Sequence, residues 1–298
     1  MRLDVACAAE GETYVAHSAA MLHSLLDANR GHDLHVHYMH GPDISTALET
    51  RLAGMVEREG GRISFIRVPD ERVEGLPTKD FTRKATWYRI FLPELLPDVE
   101  RILYLDADLI VLDEVAPLWE LDLAGHWVAA VTNVFQHNHL HRPAQLGLKG
   151  PEVYFNAGVL LMNLEEMRRD ARTPALLDYG VRNAERIEWR DQDALNVVLG
   201  ERRLPLHPRW NLMNSTLLFT SAADVYGRDV VEEARARPAI RHFEGPEANK
   251  PWHYLCEGEL RELYLQHRRA TPWPRVRREG MTPRNVLRRA RRRNAVSA

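Results

Sequence analysis

Short apolar runs alternate with amphipathic segments through the first hundred residues, and this alternation constrains the fold more than any other feature of the sequence. The short runs predict buried strands, while the segments between them carry apolar residues at helical spacing. Strands that alternate with helices favour a mostly parallel sheet covered by helices. The predicted strands are 3–9, 34–39, 63–68 and 101–105, and the predicted helices are 14–29, 43–59 (capped by Asp43) and 82–96.

The second half of the chain continues the α/β pattern with fewer regular segments. Its predicted elements are buried strands at 127–131 and 157–163, a helix at 191–199, an irregular stretch at 204–220 and a short strand at 239–242. With 45% hydrophobic residues in 298, the chain can bury a large core. We expect one Rossmann-like α/β domain over residues 1–270, which includes a small C-terminal helical part, followed by a basic tail over residues 271–298.

Membrane-spanning helices and a disulfide framework are not indicated. No run approaches the roughly 20 apolar residues that a spanning helix needs, and the first ten residues do not resemble a signal peptide. The two cysteines, Cys7 and Cys256, suit buried thiols in a reduced compartment. We therefore expect the mature chain to begin at Met1 and to be cytoplasmic.

Charge is distributed unevenly along the chain. Nine arginines and one glutamate give residues 275–298 a charge of +8, which leaves −10 for the rest of a chain whose net charge is −2. The tail contains Arg288, Arg289 and Arg291 to Arg293 beside a few apolar residues, so one hypothesis is a short basic helix on anionic lipid. The alternative is a disordered, solvated tail. Nucleic acid is not expected as a partner, because the acidic body would repel it.

The motif Asp106-Ala107-Asp108 directly follows the predicted strand 101–105. Ligands of open α/β sheets bind outside the carboxyl ends of strands, so these two carboxylates can converge on one ligand there. Carboxylate oxygens suit Mg²⁺ or Mn²⁺, and such an ion can bridge the oxygens of a diphosphate. The alternative is that Asp108 caps a turn and Asp106 is solvated.

Three further motifs carry side chains that suit the same chemistry. The segment 242–253 offers an imidazole at His242, a flexible backbone at Gly245 and a cation at Lys250, although a surface loop braced by prolines would look similar. The pair Ala157-Gly158 follows Asn156, and small residues there would let a sugar ring approach the backbone. Asp191-Gln192-Asp193 opens a predicted helix, where the helix dipole alone would explain the acidic residues.

These motifs recur in the order found in family 8 glycosyltransferases, which the chain resembles over nearly its whole length. The matching segments are VACAAEGETY, WYRIFLPELLP, RILYLDADLIVLD, PLWELDL, YFNAGVLLMNL, DQDALN, RWNLMNS and HFEGPEANKPWH. The chain looks most similar to the bacterial galactosyl- and glucosyltransferases of lipooligosaccharide and lipopolysaccharide biosynthesis. The resemblance implies a GT-A type fold, a nucleotide-sugar donor and a metal ion.

The resemblance also implies roles for individual residues. The metal ion, Mn²⁺ or Mg²⁺, would be bound by Asp106, Asp108 and His242. The positions that match donor-binding residues are Ala8, Ala9 and Glu10 for the nucleoside, Gly245 and Lys250 for the diphosphate, and Arg89, Asn156, Asp191 and Gln192 for the sugar. Asp106, Ala107 and Ala157 also match positions that contact the donor. Asn133 stands where relatives often have an acidic residue that faces the acceptor.

The reaction implied is transfer of a hexose from UDP-galactose or UDP-glucose to a saccharide or lipid-linked acceptor, with retention of configuration. Gln192 would lie under the anomeric carbon and is a poor nucleophile, so same-face attack is favoured, with Asp191 orienting the sugar. The alternatives are a phosphohydrolase of the haloacid dehalogenase type and a nonenzymatic protein that binds through its basic tail. The histidines at 137, 139 and 141 suggest either an exposed loop over the donor or acceptor or, less favoured, a second metal site.

Overall fold

The computed structural model describes residues 1–78, 84–256, 259–275 and 279–296. The strands are β1 Arg2–Ala9, β2 Asp33–His40, β3 Arg62–Arg67, β4 Arg101–Leu105, β5 Leu109–Val111, β6 Val128–Thr132, β7 Phe155–Asn163, β8 Arg203–Leu206, β9 Leu212–Met213 and β10 Ile240–His242. The helices are α1 Gly11–Ala28, α2 Thr46–Arg58, α3 Ala85–Tyr88, α4 Leu92–Leu95, α5 Ala116–Trp119, α6 Arg142–Gln145, α7 Leu164–Arg169, α8 Arg172–Arg182, α9 Asp191–Leu199, α10 Asn214–Leu218, α11 Ala222–Tyr226, α12 Arg228–Ala236, α13 Glu259–Ala270 and α14 Pro283–Val296.

Seven of the described strands form one sheet in the order β3-β2-β1-β4-β7-β6-β8. Strands β3, β2, β1 and β4 run parallel, β7 runs antiparallel to both of its neighbours, and β8 runs parallel to β6. The central strands β1, β4 and β7 are buried on both faces. Along β1, for example, Val5 and Cys7 belong to one buried cluster and Ala6 and Ala8 to the other. The α/β class with a mostly parallel sheet is therefore confirmed.

A second, smaller sheet brings distant parts of the chain to the end of β4. Its order is β5-β10-β9, with β10 antiparallel to β5 and parallel to β9. In this register His242 pairs with Leu109 on one side and with Met213 on the other. The residue that ends β10 therefore lies beside the Asp-Ala-Asp motif, although the two are more than a hundred positions apart in the sequence.

Most of the predicted elements are present, with differences at their ends. Ser45, and not Asp43, caps α2 by accepting a hydrogen bond from the Leu48 N–H, while Asp43 accepts from the Gly11 N–H. The predicted helix 82–96 consists of α3, a 3-10 turn at Arg89–Phe91 and α4, and its first two residues lie outside the described part of the chain.

The C-terminal part is helical, as expected. Trp273 is buried in the main core, and the rings of His17 on α1 and Trp252 are stacked with centroids 3.5 Å apart. Arg289 on α14 donates a hydrogen bond to the Tyr254 carbonyl at 2.7 Å. The structure does not describe residues 276–278 of the basic tail or the side chains of residues 291–293. The division at residue 270 stays a prediction. No helix among the described residues has both the length and the apolar content that membrane crossing requires.

Candidate active site

A cleft of about 850 Å³ opens at the carboxyl ends of β1 and β4, where ligands of α/β sheets bind. All of the site residues predicted from the sequence line it. They are Ala8, Ala9, Glu10, Arg89, Asp106, Ala107, Asp108, Asn156, Ala157, Asp191, Gln192, His242, Gly245 and Lys250. The fold therefore brings together residues from six separate segments of the chain.

Asp106, Asp108 and His242 form a group of three ligand-bearing side chains in this cleft. One ligand atom from each lies within 4.8 Å of the others. His242 Nε2 is 3.2 Å from Asp108 Oδ1 and 4.0 Å from Asp106 Oδ2. Two carboxylates and an imidazole at these distances form a suitable ligand set for a divalent ion such as Mn²⁺ or Mg²⁺.

Two cations neutralise the acidic pair in the structure. Lys250 donates a hydrogen bond from Nζ to Asp108 Oδ2, and Arg89 lies 3.0 Å from Asp106 Oδ1. Burial would raise the pKa of Asp108, but the Lys250 ammonium and the His242 ring outweigh burial and hold that pKa far below its usual range. Asp108 is therefore an anion near neutral pH, which is the form that can bind a metal ion.

Arg89 joins the acidic pair to Asp191. The Arg89 guanidinium is buried, with Nε 3.0 Å from Asp191 Oδ2, and it lies 4.2 Å from the centre of the Tyr104 ring. Burial opposes the charge of Arg89, but Asp106 and Asp191 together raise its pKa above the usual value. Burial also raises the pKa of Asp191 to about 6, although Arg89 acts in the opposite direction.

The carboxamide of Gln192 is held in place by its neighbours. Its Oε1 accepts hydrogen bonds from the Ala157 N–H at 3.0 Å and from Asn156 Nδ2 at 3.2 Å, and its Nε2 donates to the Tyr154 hydroxyl at 3.3 Å. Tyr154 in turn donates to the buried Asp193 at 2.6 Å. The oxygen of Gln192 is thus engaged by two donors from the protein itself.

Sequence reasoning missed the role of Asn211, which supports His242, and assigned Gly158 a role different from the one that the structure shows. Asn211 Oδ1 is 3.0 Å from His242 Nδ1, and Asn211 Nδ2 donates to Asn156 Oδ1 at 2.9 Å, which fixes the His242 ring. A Cβ on Gly158 would lie 2.2 Å from His242 Cε1. The small residue expected to admit a sugar therefore makes room for the imidazole. Asn211 lies in the RWNLMNS motif, which was the available signal.

Glu10 lines the cleft directly after the end of β1. Its Oε2 is buried and accepts no hydrogen bond from the described residues. Glu10 precedes α1, and Gly11 after it has a φ of 75°, which favours glycine. A carboxylate oxygen without a donor can accept hydrogen bonds from the hydroxyls of a ribose.

Aromatic side chains form one wall of the cleft. Phe135 stacks on Trp189 with ring centroids 5.4 Å apart, and His139 meets the edge of the same indole at 5.6 Å.

Among the described residues, two groups can hold a metal ion, one in this cleft and one at Asp4, His35 and His37. The histidines at 137, 139 and 141 belong to neither.

Comparison with known proteins gives a consistent result. The sequence model of glycosyl transferase family 8 matches residues 6–256. General stress protein A of Bacillus subtilis is 30% identical over 275 residues, which cover 90% of this chain and 93% of that protein. The lipopolysaccharide 1,3-galactosyltransferase of Salmonella typhimurium is 28% identical over 76% of this chain, and the match spans 66% of that enzyme's length.

A solved structure agrees with these relatives. The galactosyltransferase LgtC, crystallised with donor and acceptor sugar analogs, has a TM-score of 0.80 and 27% sequence identity. The match covers 91% of this chain and 96% of that chain.

Proposed function

The chain belongs to glycosyl transferase family 8 and is a glycosyltransferase, and from this premise we propose that it transfers galactose or glucose from a UDP-sugar with retention of configuration. The acceptor we propose is a saccharide or a lipid-linked saccharide, as in the lipopolysaccharide transferases among its relatives. Membership of this family argues against the two alternative functions, a phosphohydrolase of the haloacid dehalogenase type and a nonenzymatic binding protein.

One observation carries the proposal. Groups suited to an anion and a metal ion converge in the cleft, with Asp106, Asp108 and His242 beside Lys250. Asp191, which we propose binds the sugar, lines the same cleft and is joined to Asp106 through Arg89. A nucleotide diphosphate sugar needs both kinds of group close together, because its diphosphate is bonded directly to the sugar.

The residues fit a divalent ion. Lys250 donates a hydrogen bond to Asp108, so this carboxylate is already placed beside a cation, as a metal ligand would be. Asp106, Asp108 and His242 would hold the ion, which would act as a Lewis acid toward the diphosphate leaving group. Lys250, released from Asp108, would bind a phosphate oxygen, and Glu10 would accept from the ribose hydroxyls.

Retention is expected to follow from same-face attack. The bond between the anomeric carbon and the UDP oxygen breaks, the acceptor oxygen bonds to that carbon from the same face, and the acceptor's proton goes to a diphosphate oxygen. Gln192 suits positioning better than nucleophilic attack, because an amide is a poor nucleophile and its Oε1 is engaged by two donors. Asp191, held by Arg89, would orient the sugar hydroxyls and stabilise positive charge near the ring.

A panel of nucleotide sugars tests the proposed donor and metal. Release of UDP is measured by mass spectrometry with Mn²⁺, with Mg²⁺ and with EDTA. The expected result is metal-dependent release from UDP-galactose or UDP-glucose, lost in Asp108→Asn and retained in the matched control Asp113→Asn, whose carboxylate is half-exposed outside the cleft. Release that is insensitive to EDTA would contradict the metal, and release from another nucleotide sugar would contradict the donor.

We also propose that the enzyme is cytoplasmic and contacts anionic membrane through α14. Leu287 and Met281 are 61% and 63% exposed, and Arg284 and Arg288 are exposed beside them. Exposed apolar side chains next to arginines favour an interfacial helix. The test is sedimentation with vesicles of phosphatidylglycerol and phosphatidylcholine. Deletion of residues 283–298 is expected to abolish binding and to leave UDP release unchanged, whereas equal binding by both proteins would contradict the proposal.

A further inference from the structure

Three side chains that can ligate a metal lie together on the first two strands, away from the cleft. Asp4 is on β1, and His35 and His37 are on β2, where Asp4 pairs with His35 in the strand register. Residues two apart on a strand project from the same face, and the two imidazole centroids are 4.2 Å apart. The strand rises about 16 Å between Asp4 and Ala9, which lines the cleft, so this cluster is separate from the active site.

The ligand atoms of this cluster are spaced as a small metal ion requires. His37 Nε2 is 2.8 Å and His35 Nδ1 is 3.5 Å from Asp4 Oδ1. In a tetrahedral zinc site with bonds of about 2.0–2.1 Å, neighbouring ligand atoms are about 3.3 Å apart. The two separations from Asp4 lie on either side of this value, and the ligand atoms of all three residues lie within 4.8 Å of one another.

The ring of His35 is oriented as a metal ligand would be. Its Nε2 is 2.8 Å from Ser64 Oγ, while its Nδ1 is buried and makes no hydrogen bond within the described part of the chain. Ligating histidines usually donate their second N–H to an outer partner, which fixes the tautomer. If Nε2–H donates to Ser64, the Nδ1 lone pair faces the Asp4 carboxylate, and a cation between them removes the repulsion.

The cluster is shielded, and two groups share Asp4 Oδ1: His37 Nε2, at a hydrogen-bonding distance of 2.8 Å, and the Arg2 guanidinium. The side chains of Asp4, His35 and His37 are 11%, 16% and 5% exposed. Arg2 donates to Asp4 Oδ1 at 3.0 Å, but its side chain is 56% exposed, and an exposed pair of this kind is weak enough to be displaced.

We propose that Asp4, His35 and His37 bind a Zn²⁺ ion, with a water molecule in the fourth position, and that the ion ties β1 to β2 at the end of the sheet opposite the cleft. Two imidazoles and one carboxylate favour zinc, whereas Mn²⁺ and Mg²⁺ prefer the oxygen-rich set in the cleft. The two sites are therefore expected to differ in metal preference.

Calorimetric titration of Zn²⁺ into the full chain tests the proposal. The Asp108→Asn background weakens the cleft site, and one equivalent of Zn²⁺ is expected to bind to it still. Adding His35→Gln is expected to weaken that equivalent at least tenfold. The control His126→Gln, at a turn histidine outside both clusters, is expected to leave it unchanged. Absence of this equivalent in Asp108→Asn, or its persistence at full affinity in the double variant, would overturn the proposal.

A second variant tests the site without removing a ligand. Arg2→Ala frees Asp4 Oδ1 of the competing guanidinium, and because Arg2 is exposed its loss should not affect folding. Zinc affinity is expected to rise at least threefold, and the Zn²⁺-induced increase in Tm should grow with it. Unchanged or weaker zinc binding by Arg2→Ala would contradict the assignment of Asp4 as a ligand.

Discussion

Substitution of Gly158 by alanine tests whether the position of His242 controls the metal site. The added Cβ would lie 2.2 Å from His242 Cε1, 2.8 Å from its Nδ1 and 3.0 Å from Asp106 Oδ2. Carbon atoms in contact are normally at least about 3.5 Å apart, so the imidazole must move by about 1.3 Å. His242 is only 3% exposed and is held by Asn211, so it has little room to move without losing that bond.

The expected effect on stability is smaller than the effect on function. Overpacking of a buried position costs about 1–3 kcal/mol, so Gly158→Ala should still fold, with a lower Tm. Displacement of one metal ligand by about 1 Å is expected to weaken Mn²⁺ binding at least tenfold and to slow UDP release about a hundredfold. Mn²⁺ affinity is measured by electron paramagnetic resonance and UDP release by mass spectrometry, on protein shown to be folded by circular dichroism.

Gly31→Ala is the matched control for this substitution. A Cβ at Gly31 would meet no heavy atom within 4 Å, so stability, Mn²⁺ affinity and UDP release should all stay near wild type. If folded Gly158→Ala also kept wild-type Mn²⁺ affinity and activity, the requirement for His242 in its present position would be refuted.

Three further predictions concern the buried charges. UDP release should rise as the pH increases through about 6, because burial raises the pKa of Asp191 to that value and only the anion is expected to orient the sugar. If Asp191→Asn did not flatten this pH profile, the assignment would be contradicted. Arg89→Gln removes the cation that lowers the pKa of Asp191, so the acid limb of the same profile should move to higher pH, and an unmoved limb would count against the pairing. Asp193→Ala removes the fully buried carboxylate that pairs with Arg142 and should lower the free energy of unfolding by about 3–5 kcal/mol in urea denaturation. A loss below about 1 kcal/mol would exclude a stabilising role for that pair.

The sequence predicts the elements of the main sheet but not how all of them pair. The apolar runs at 101–105 and 157–163 indicate strands, and the structure has strands at both positions. Their antiparallel pairing is not encoded in the runs, because hydrophobic periodicity carries no strand direction. The pairing of β10 with β5, which brings His242 to Asp108, likewise depends on contacts between segments far apart in the sequence.

The residues of the candidate site were likewise predicted only in part from the sequence. Each predicted residue that lines the cleft belongs to one of the ordered motifs, and so the sequence alone identified it. The role of Asn211 was not predicted, because an amide in an irregular stretch has no periodic signal and acts here only through its distance to His242. The ion pair between Lys250 and Asp108 also required the structure, since the motif alone assigns Lys250 to a phosphate.

The central claim is that a metal ion held by Asp106, Asp108 and His242 binds a nucleotide diphosphate in this cleft. Calorimetric titration of UDP into the protein, with Mn²⁺ and with EDTA, tests it most directly. We predict that UDP binds at least tenfold more tightly with Mn²⁺ and that His242→Gln removes this difference. Equal UDP affinity with Mn²⁺ and with EDTA in the wild-type protein would contradict the account.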